Sequence, residues 1–217
     1  MAYEKLFNEI YAVVSLKYLW RDYHPGFVKH ESPDWVNDDM DMGLEVSQAL
    51  LPEDGAAAAF IEKYLGCPKE ELPQEAFDKY GSRLHFYNGR FWAIEPKDDT
   101  PEGYSYKVEY RFRKKLEKLN SNYEYHKCNA LYLFVHPYEE KDLDIRDMVE
   151  RMIAANKEFR IGFDCVFLNC EDMIYIIHFD TASLEFINVP PNSKAYIERQ
   201  SELLRLVWDW DTVQQID

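Results

Sequence analysis

The chain has 217 residues and a formal net charge of −15, with 47% hydrophobic and 16% aromatic residues. This composition excludes an intrinsically disordered chain and suits one globular domain with a sizeable core. No run of residues is apolar enough to span a membrane, and residues 2–20 are typical of an amphipathic helix, not of a secretion signal. We therefore expect a cytoplasmic protein. The negative charge argues against a broad DNA-binding surface, which requires basic excess.

The first half of the chain predicts two helices and two hairpins. Apolar residues at helical spacing predict a helix over residues 2–20. Strand-like runs on either side of the Asn/Asp-rich residues 37–41 predict a hairpin, and residues 55–65 predict a short helix. Asn88-Gly89 separates two aromatic-rich runs, which predicts a second hairpin with a type I′ turn.

The second half of the chain predicts helices and strands that alternate. Residues 104–119 predict a helix, residues 130–135 a strand buried on both faces, and residues 142–156 another helix. Three further strands and a last helix are predicted at residues 163–168, 173–179, 184–189 and 194–209. A mixed central β-sheet flanked by helices buries such elements, so we predict an α/β fold that forms a single domain over residues 1–217.

Two acidic residues of the first hairpin are candidate metal ligands. Asp34 opens one strand and Glu45 lies late in the other, so antiparallel pairing brings them close together. Because side chains alternate along a strand, Glu45 and Ser47 share one face while Leu44 and Val46 take the other, inward face. This predicts that the Glu45 carboxylate faces outward. Convergent carboxylates repel each other unless a cation neutralises them, and oxygen ligands suit Mg²⁺ or Mn²⁺.

The surrounding sequence resembles a known nuclease superfamily. Glu-Ser-Pro-Asp-Trp at residues 31–35 precedes Gly-Leu-Glu-Val-Ser-Gln-Ala at residues 43–49. Together they resemble the PD-(D/E)XK superfamily, with its restriction-endonuclease-like fold, and most closely its poorly characterised prokaryotic branches. The resemblance implies a metal-dependent nuclease in which Asp34 and Glu45 bind Mg²⁺ or Mn²⁺. It implies Glu31 as an additional ligand or as an orienting residue.

The chain departs from that superfamily at one important position. The superfamily pattern has lysine two residues after the glutamate, where this chain has Ser47. The lysine activates water and stabilises charge on the phosphate, whereas a hydroxyl supplies no positive charge. Ser47 or Gln48 would then orient the attacking water. Either another cation replaces the lysine or the site is catalytically degenerate.

A basic stripe on the third predicted helix offers such a cation. Its members recur at helical spacing. They are Lys107, Arg111, Lys114 and Lys118. Residues 104–127 contain seven Lys/Arg and three Glu, a local charge of +4. We expect Lys114, at the centre of the stripe, to replace the missing lysine, with Lys63 as second choice. The other three residues of the stripe would bind the phosphates of a nucleic acid.

Two alternatives remain open. The acidic residues of segment 29–54 are also compatible with a solvated surface, as the basic stripe is with the solvated side of an amphipathic helix. The whole chain is also compatible with an acidic binding module, such as an immunity protein or a nucleic-acid mimic, that occupies a basic protein partner. A homodimer is compatible with either function.

Overall fold

The computed structural model describes residues 2–97, 100–121, 123–135, 143–206 and 215–216. Its α-helices are α1 (Ala2–Leu19), α2 (Pro52–Tyr64), α3 (Gln74–Tyr80), α4 (Pro101–Leu119), α5 (Ile145–Glu158) and α6 (Pro191–Leu206). Its strands are β1 (Phe27–Lys29), β2 (Trp35–Asn37), β3 (Met42–Gln48), β4 (Leu84–Tyr87), β5 (Arg90–Ile94), β6 (Cys128–Phe134), β7 (Cys165–Asn169), β8 (Met173–His178), β9 (Ser183–Asn188) and β10 (Gln215–Ile216). Over the described ranges, no helix is long and apolar enough to cross a membrane.

The main sheet is mixed, as the sequence predicts. Its strands follow the order β10-β1-β2-β3-β6-β7-β8-β9. The strands β1 to β3 form an antiparallel meander, β3, β6 and β7 are parallel, and β7 to β9 are antiparallel again. The helices α1 and α6 pack on one face, and α4 and α5 pack on the other. The predicted α/β class with helices on both faces is confirmed.

Burial on both faces explains the continuous apolar run of β6. Ala130 and Tyr132 belong to the core beneath α1, and Leu131 and Leu133 belong to the core beneath α4 and α5. All four side chains are fully buried. A strand with parallel neighbours on both sides and helices on both faces has no solvated side, so an alternating pattern is not expected.

The β2–β3 hairpin is held by its turn and by close packing. Asn37, at the end of β2, accepts a hydrogen bond from the Met40 backbone and donates two to carbonyl groups of the preceding loop. Gly43 lies against Pro33 and His126, where a Cβ atom would stand 2.6 Å from the imidazole ring. Only glycine therefore fits at this position without movement of its neighbours.

A smaller unit is inserted between β3 and α4. It contains α2, α3 and the β4–β5 hairpin around a separate apolar core. Asn88 and Gly89 have φ angles of 51° and 73°, which confirms the predicted type I′ turn. The sequence analysis missed α3, because its seven residues are too few to show a clear helical period within a mostly acidic segment.

Three helices begin three residues earlier than predicted, and each begins at a proline. These prolines are Pro52, Pro101 and Pro191. Pro190-Pro191 alone would suggest a break in the chain, whereas Pro191 is the first residue of α6. Proline suits this position because its φ angle is helical and its missing N–H has no partner in the first turn. Residues 142 and 207–209, included in the predicted helices, lie outside the described residues.

Candidate active site

Asp34 and Glu45 lie side by side on the β2–β3 hairpin. The register pairs Trp35 with Leu44, which places the two acidic residues directly opposite each other. The Asp34 carboxylate also accepts a hydrogen bond of 2.8 Å from the Val46 backbone. Asp34 is 3% exposed and Glu45 is 1% exposed. Two buried carboxylates at adjacent positions require compensation from nearby positive groups.

Two lysines of α4 compensate the charge of Glu45. The Lys115 Nζ atom lies 2.5 Å from Glu45 Oε1, and the Lys118 Nζ atom lies 2.8 Å from Oε1 and 3.0 Å from Oε2. Glu45 does lie on the face opposite to Leu44 and Val46, but the prediction that its carboxylate faces outward is wrong. The helix α4 covers this face as well, so both faces of β3 are buried.

Glu9 of α1 is a third buried carboxylate, which the sequence analysis missed. Its side chain lies 3.0 Å from Lys29 Nζ and 3.3 Å from Lys5 Nζ. Lys29 also donates to the Asp34 main-chain carbonyl at 2.9 Å. An acidic residue one position before the buried Ile10, on the apolar side of α1, was the available signal. We refer to Glu9, Asp34 and Glu45 as the carboxylate cluster.

The pKa values of Asp34 and of two neighbouring residues are shifted at the carboxylate cluster. Burial and the charge of Glu9 raise the pKa of Asp34, although the Val46 N–H group and the charges of Lys29 and Lys115 oppose this. Burial would lower the pKa of Lys5, but the three carboxylates together raise it. The pKa of Tyr123 is also raised, first by burial and then by the charge of Glu45. The negative charge of the cluster therefore acts on Lys5 and Tyr123 as well as on Asp34.

We predict that Asp34→Asn stabilises the protein at pH 7. The raised pKa means that the ionised carboxylate is less favourable in the folded state than in the unfolded chain, where its usual value is 3.8. The neutral amide avoids this cost, so the free energy of unfolding should rise by about 1 kcal/mol. The gain should disappear as the pH falls through the folded-state pKa, because the wild-type carboxyl is then protonated too.

Urea unfolding between pH 4 and pH 8 measures this effect. Asp39→Asn, in the exposed turn of the same hairpin, is the matched control and should leave stability unchanged. A loss of stability in Asp34→Asn at pH 7 would contradict the prediction. It would show that the charges of Lys29 and Lys115 outweigh burial in their effect on the pKa of Asp34.

An open cleft of 580 Å³ borders the carboxylate cluster. It lies between α1, α2, α4 and the end of β3, and its lining includes Glu9, Ser47, Gln48, Lys115 and Glu62. The sequence analysis placed Ser47 and Gln48 at the site, and both border this cleft. The cleft therefore reaches the carboxylate cluster at Glu9, while Asp34 and Glu45 are not among its lining residues.

The first two residues of the basic stripe make contacts within the protein. Lys107 is 6% exposed, and its Nζ atom lies 3.6 Å from the Asp54 carboxylate. Arg111 donates hydrogen bonds to the main-chain carbonyls of Gln48 and Leu50, at 3.0 Å and 3.2 Å. Both side chains thus fasten α4 to the segment that follows β3, and their predicted contact with phosphate stays a prediction.

The lysines that contact the carboxylate cluster differ from the predicted residue, Lys114. Lys114 is exposed, and its Nζ atom lies 2.8 Å from Glu117. Lys115 and Lys118 instead contact Glu45. Of the expected stripe, therefore, only Lys118 touches the cluster, and Lys115 is the residue best placed to supply the missing positive charge.

Two other candidates lie away from the cluster. Glu31 is exposed, and no ion pair or hydrogen bond within the described ranges joins it to Asp34 or Glu45. Lys63 is also exposed, with its Nζ atom 4.8 Å from the ring centroid of Tyr64. A role for either residue would require a movement that brings it to the cleft.

The chemistry of the carboxylate cluster suits a hard divalent cation. All the candidate ligand atoms in the cluster are carboxylate oxygens, which suit such a cation. Of these atoms, Glu9 Oε1 is buried without a hydrogen bond. No group of three His, Cys, Asp or Glu side chains is arranged to hold a metal ion, as far as the described residues go. Lysine ammonium groups contact carboxylate oxygens of Glu9 and Glu45.

Comparisons with known proteins give no match. No family model matches the chain, and neither does any curated protein or any solved structure. The resemblance of residues 31–49 to the PD-(D/E)XK superfamily therefore stands on the motif. The geometry of the carboxylate cluster is an independent reason to expect chemistry at the same place.

Proposed function

We propose that this protein is a divalent-metal-dependent nuclease with a restriction-endonuclease-like fold, which hydrolyses phosphodiester bonds. The observation that carries the proposal is the adjacency of Asp34 and Glu45, both buried, in the same cluster as Glu9, which lines an open cleft. Burial of paired carboxylates is costly for folding, and such a cost is typical of functional sites.

The arrangement of the elements supports the same proposal. A helix, a three-stranded meander, a basic helix and a parallel strand follow in the order α1, β1 to β3, α4 and β6. The two motif acids come from the meander, and the positive charge comes from the basic helix. The position that lacks lysine in β3 is thus supplied with lysine from α4.

The carboxylate cluster would hold Mg²⁺ or Mn²⁺ through Asp34 and Glu45, with Glu9 beside them. When bound, such an ion polarises water and neutralises charge on a phosphodiester. Ser47 and Gln48 border the cleft, where a hydroxyl and an amide can orient water by hydrogen bonds.

Lys115 has a double role in this proposal. In the structure it neutralises Glu45, and beside a substrate its ammonium group would offset charge on the phosphate. The side chain is 16% exposed, so its ammonium group can reach the cleft while its Cα atom stays fixed in α4.

We expect wild-type protein to bind Mn²⁺ saturably in isothermal titration calorimetry and to cleave nucleic acid when Mg²⁺ or Mn²⁺ is present. Asp34→Asn should abolish both, because it removes a ligand charge from the carboxylate cluster. It is the suitable variant because it is expected to fold at least as stably as wild type.

Asp39→Asn again serves as the control, since it removes an acidic residue from the same hairpin outside the cluster. It should bind Mn²⁺ as wild type does. An absence of Mn²⁺ binding by wild type, both alone and with an oligonucleotide present, would refute the proposal. Binding that Asp34→Asn retains would place the ion elsewhere and refute the proposed site.

One observation favours a second candidate, an acidic binding module derived from a nuclease. Two lysines already neutralise Glu45, and Ser47 stands where the motif requires lysine. In that case the lysines would replace the metal permanently, and the protein would occupy a basic protein partner. Failure of the metal titration together with full stability of the fold would favour this candidate.

A further inference from the structure

The Tyr123 hydroxyl is buried beside the carboxylate cluster without a hydrogen bond. Tyr123 is 9% exposed, and its Oη atom has no hydrogen-bond partner among the described residues. A buried tyrosine hydroxyl usually has a partner, because a buried polar group without one is costly. Phenylalanine would fill the same space without this cost. The hydroxyl is therefore a donor that the folded protein leaves unused.

Packing places this hydroxyl near Glu45. Glu45 pairs with Leu131 of β6, so the two side chains lie on the same face of the sheet, and Tyr123 belongs to the same core as Leu131. The Lys118 Nζ atom lies 5.7 Å from the Tyr123 ring centroid and 2.8 Å from Glu45 Oε1, so one ammonium group neighbours both side chains. Burial, and after it the charges of Glu45 and Asp34, raise the pKa of Tyr123, which agrees with this placement.

The two lysine partners of Glu45 differ in how easily they can leave. Both contact Oε1, and Lys118 also contacts Oε2 at 3.0 Å. The side chain of Lys115 is 16% exposed, whereas that of Lys118 is 38% exposed. Lys118 can therefore move into solvent at the lower cost. Its departure would remove the lysine contact of Glu45 Oε2 and leave the neighbouring Tyr123 hydroxyl as a replacement donor.

A hydroxyl and an ammonium group differ in how they tolerate a cation on the same carboxylate. An ammonium group is repelled by the cation, because both are positive. A neutral hydroxyl is not repelled in this way, so it can donate to a carboxylate that also binds an ion. Hydrogen bonds of this kind orient the carboxylates that bind metal ions, and their loss typically weakens metal affinity by about 10-fold to 100-fold.

We infer that Tyr123 is a positioning residue, whose hydroxyl donates to Glu45 when Lys118 moves away. This exchange of donors involves only side chains of the protein, so it does not depend on the proposed function. Its consequence for metal binding does rest on the proposed function. With Mg²⁺ or Mn²⁺ in the carboxylate cluster, Tyr123 would fix the orientation of Glu45 while Lys118 turns to solvent.

Urea unfolding in EDTA tests the exchange of donors through a double-mutant cycle of Tyr123→Phe and Lys118→Met. In the wild-type background, Tyr123→Phe should leave the folding equilibrium constant unchanged or raise it, because the hydroxyl is unpaired. In the Lys118→Met background, the same change should lower that constant by about 10-fold, the usual worth of a hydrogen bond to a charged group. Equal effects in the two backgrounds would overturn the inference.

Isothermal titration calorimetry with Mn²⁺ tests the role of Tyr123 in metal binding. Tyr123→Phe should weaken Mn²⁺ affinity by about 10-fold to 100-fold without loss of stability, and unchanged affinity would overturn the inference. Tyr132→Phe is the matched control, because its buried hydroxyl lies on the other face of the sheet and is hydrogen-bonded to Ser15 and Asn169. This control should lose stability but bind Mn²⁺ as wild type does.

The two measurements separate this inference from the proposed function. Absence of Mn²⁺ binding by wild type would refute the proposed function. The cycle in EDTA involves no metal ion, so it would still decide whether Tyr123 replaces Lys118 at Glu45.

Discussion

Glu45→Gln should lower the free energy of unfolding by about 3 kcal/mol, because it leaves two ammonium groups without their counter-charge next to a buried site. Glu45 is 1% exposed and contacts both Lys115 and Lys118. An amide is nearly the same size as the carboxylate, so the loss comes from charge and not from packing. Lys118 is 38% exposed and can turn towards water, which places the expected loss at the lower end of the range for broken buried pairs.

Urea unfolding at pH 7, followed by circular dichroism, measures this loss. Glu150→Gln is the control, since Glu150 pairs with Arg146 in an exposed i, i+4 ion pair, and its removal should cost under about 0.5 kcal/mol. Adding Lys115→Met to Glu45→Gln should restore part of the stability, because it removes the more buried unpaired charge. A loss below 1 kcal/mol in Glu45→Gln would mean that the lysines do not depend on this carboxylate.

The two motif acids are therefore expected to respond in opposite directions to the same chemical change. Neutralising Glu45 removes the partner of two lysines, whereas neutralising Asp34 relieves a carboxyl whose ionisation is unfavourable in the folded state. Asp34→Asn therefore removes a motif carboxylate at the lower expected cost to folding, which makes it the clearer test of the proposed function.

The fold was largely predictable from local patterns. The Asn-Gly turn, the apolar run of β6 and the helical period of α4 are short-range signals, and each marks an element that the structure contains. Three helices begin earlier than the apolar pattern predicts, because a proline precedes the first apolar positions of each. The same residue is favoured at the first position of a helix, so Pro101, preceded by the capping residue Thr100, marks a beginning.

The sequence predicted Lys114 as the lysine nearest the acidic residues, whereas the structure places Lys115 and Lys118 beside Glu45. The buried residues Val108, Phe112 and Leu116 define the inner face of α4. Each residue turns by about 100° around the helix, so Lys115 lies near that inner face and Lys114 lies almost opposite to it. The angle between a lysine and the buried face of α4 therefore predicts contact with Glu45 better than a central position in the basic stripe does.

The sequence could mark Glu9 as an acidic residue on the apolar side of α1, but it could not show that Glu9 lies near Asp34. Glu9 lies 25 residues before Asp34 in a separate helix, and no motif joins the two. Their proximity arises from tertiary packing, in which the Trp35 indole N–H donates to the Glu9 main-chain carbonyl at 3.0 Å. Lys29, with its Nζ atom 5.3 Å from the Trp35 ring centroid, joins the same group.

Trp35→Ala should therefore lower the free energy of unfolding by about 4 kcal/mol, the usual cost of removing a large buried aromatic ring. Trp35 is fully buried in the core between α1 and the main sheet. Trp35→Phe keeps a ring but loses the indole hydrogen bond to Glu9 and some buried ring area, so it should cost about 1–2 kcal/mol. Unfolding in urea at pH 7 measures both variants against wild type.

The comparison of these two variants separates the stability of the fold from the assembly of the site. Trp35→Phe should remain folded while the hydrogen bond that fixes α1 to β2 is lost, so Mn²⁺ affinity should fall if Glu9 is a ligand. Unchanged affinity in a folded Trp35→Phe protein would mean that Asp34 and Glu45, which the hairpin register holds together, are sufficient. Glu9 would then act through the charge that it exerts on Asp34 and not through contact with the ion.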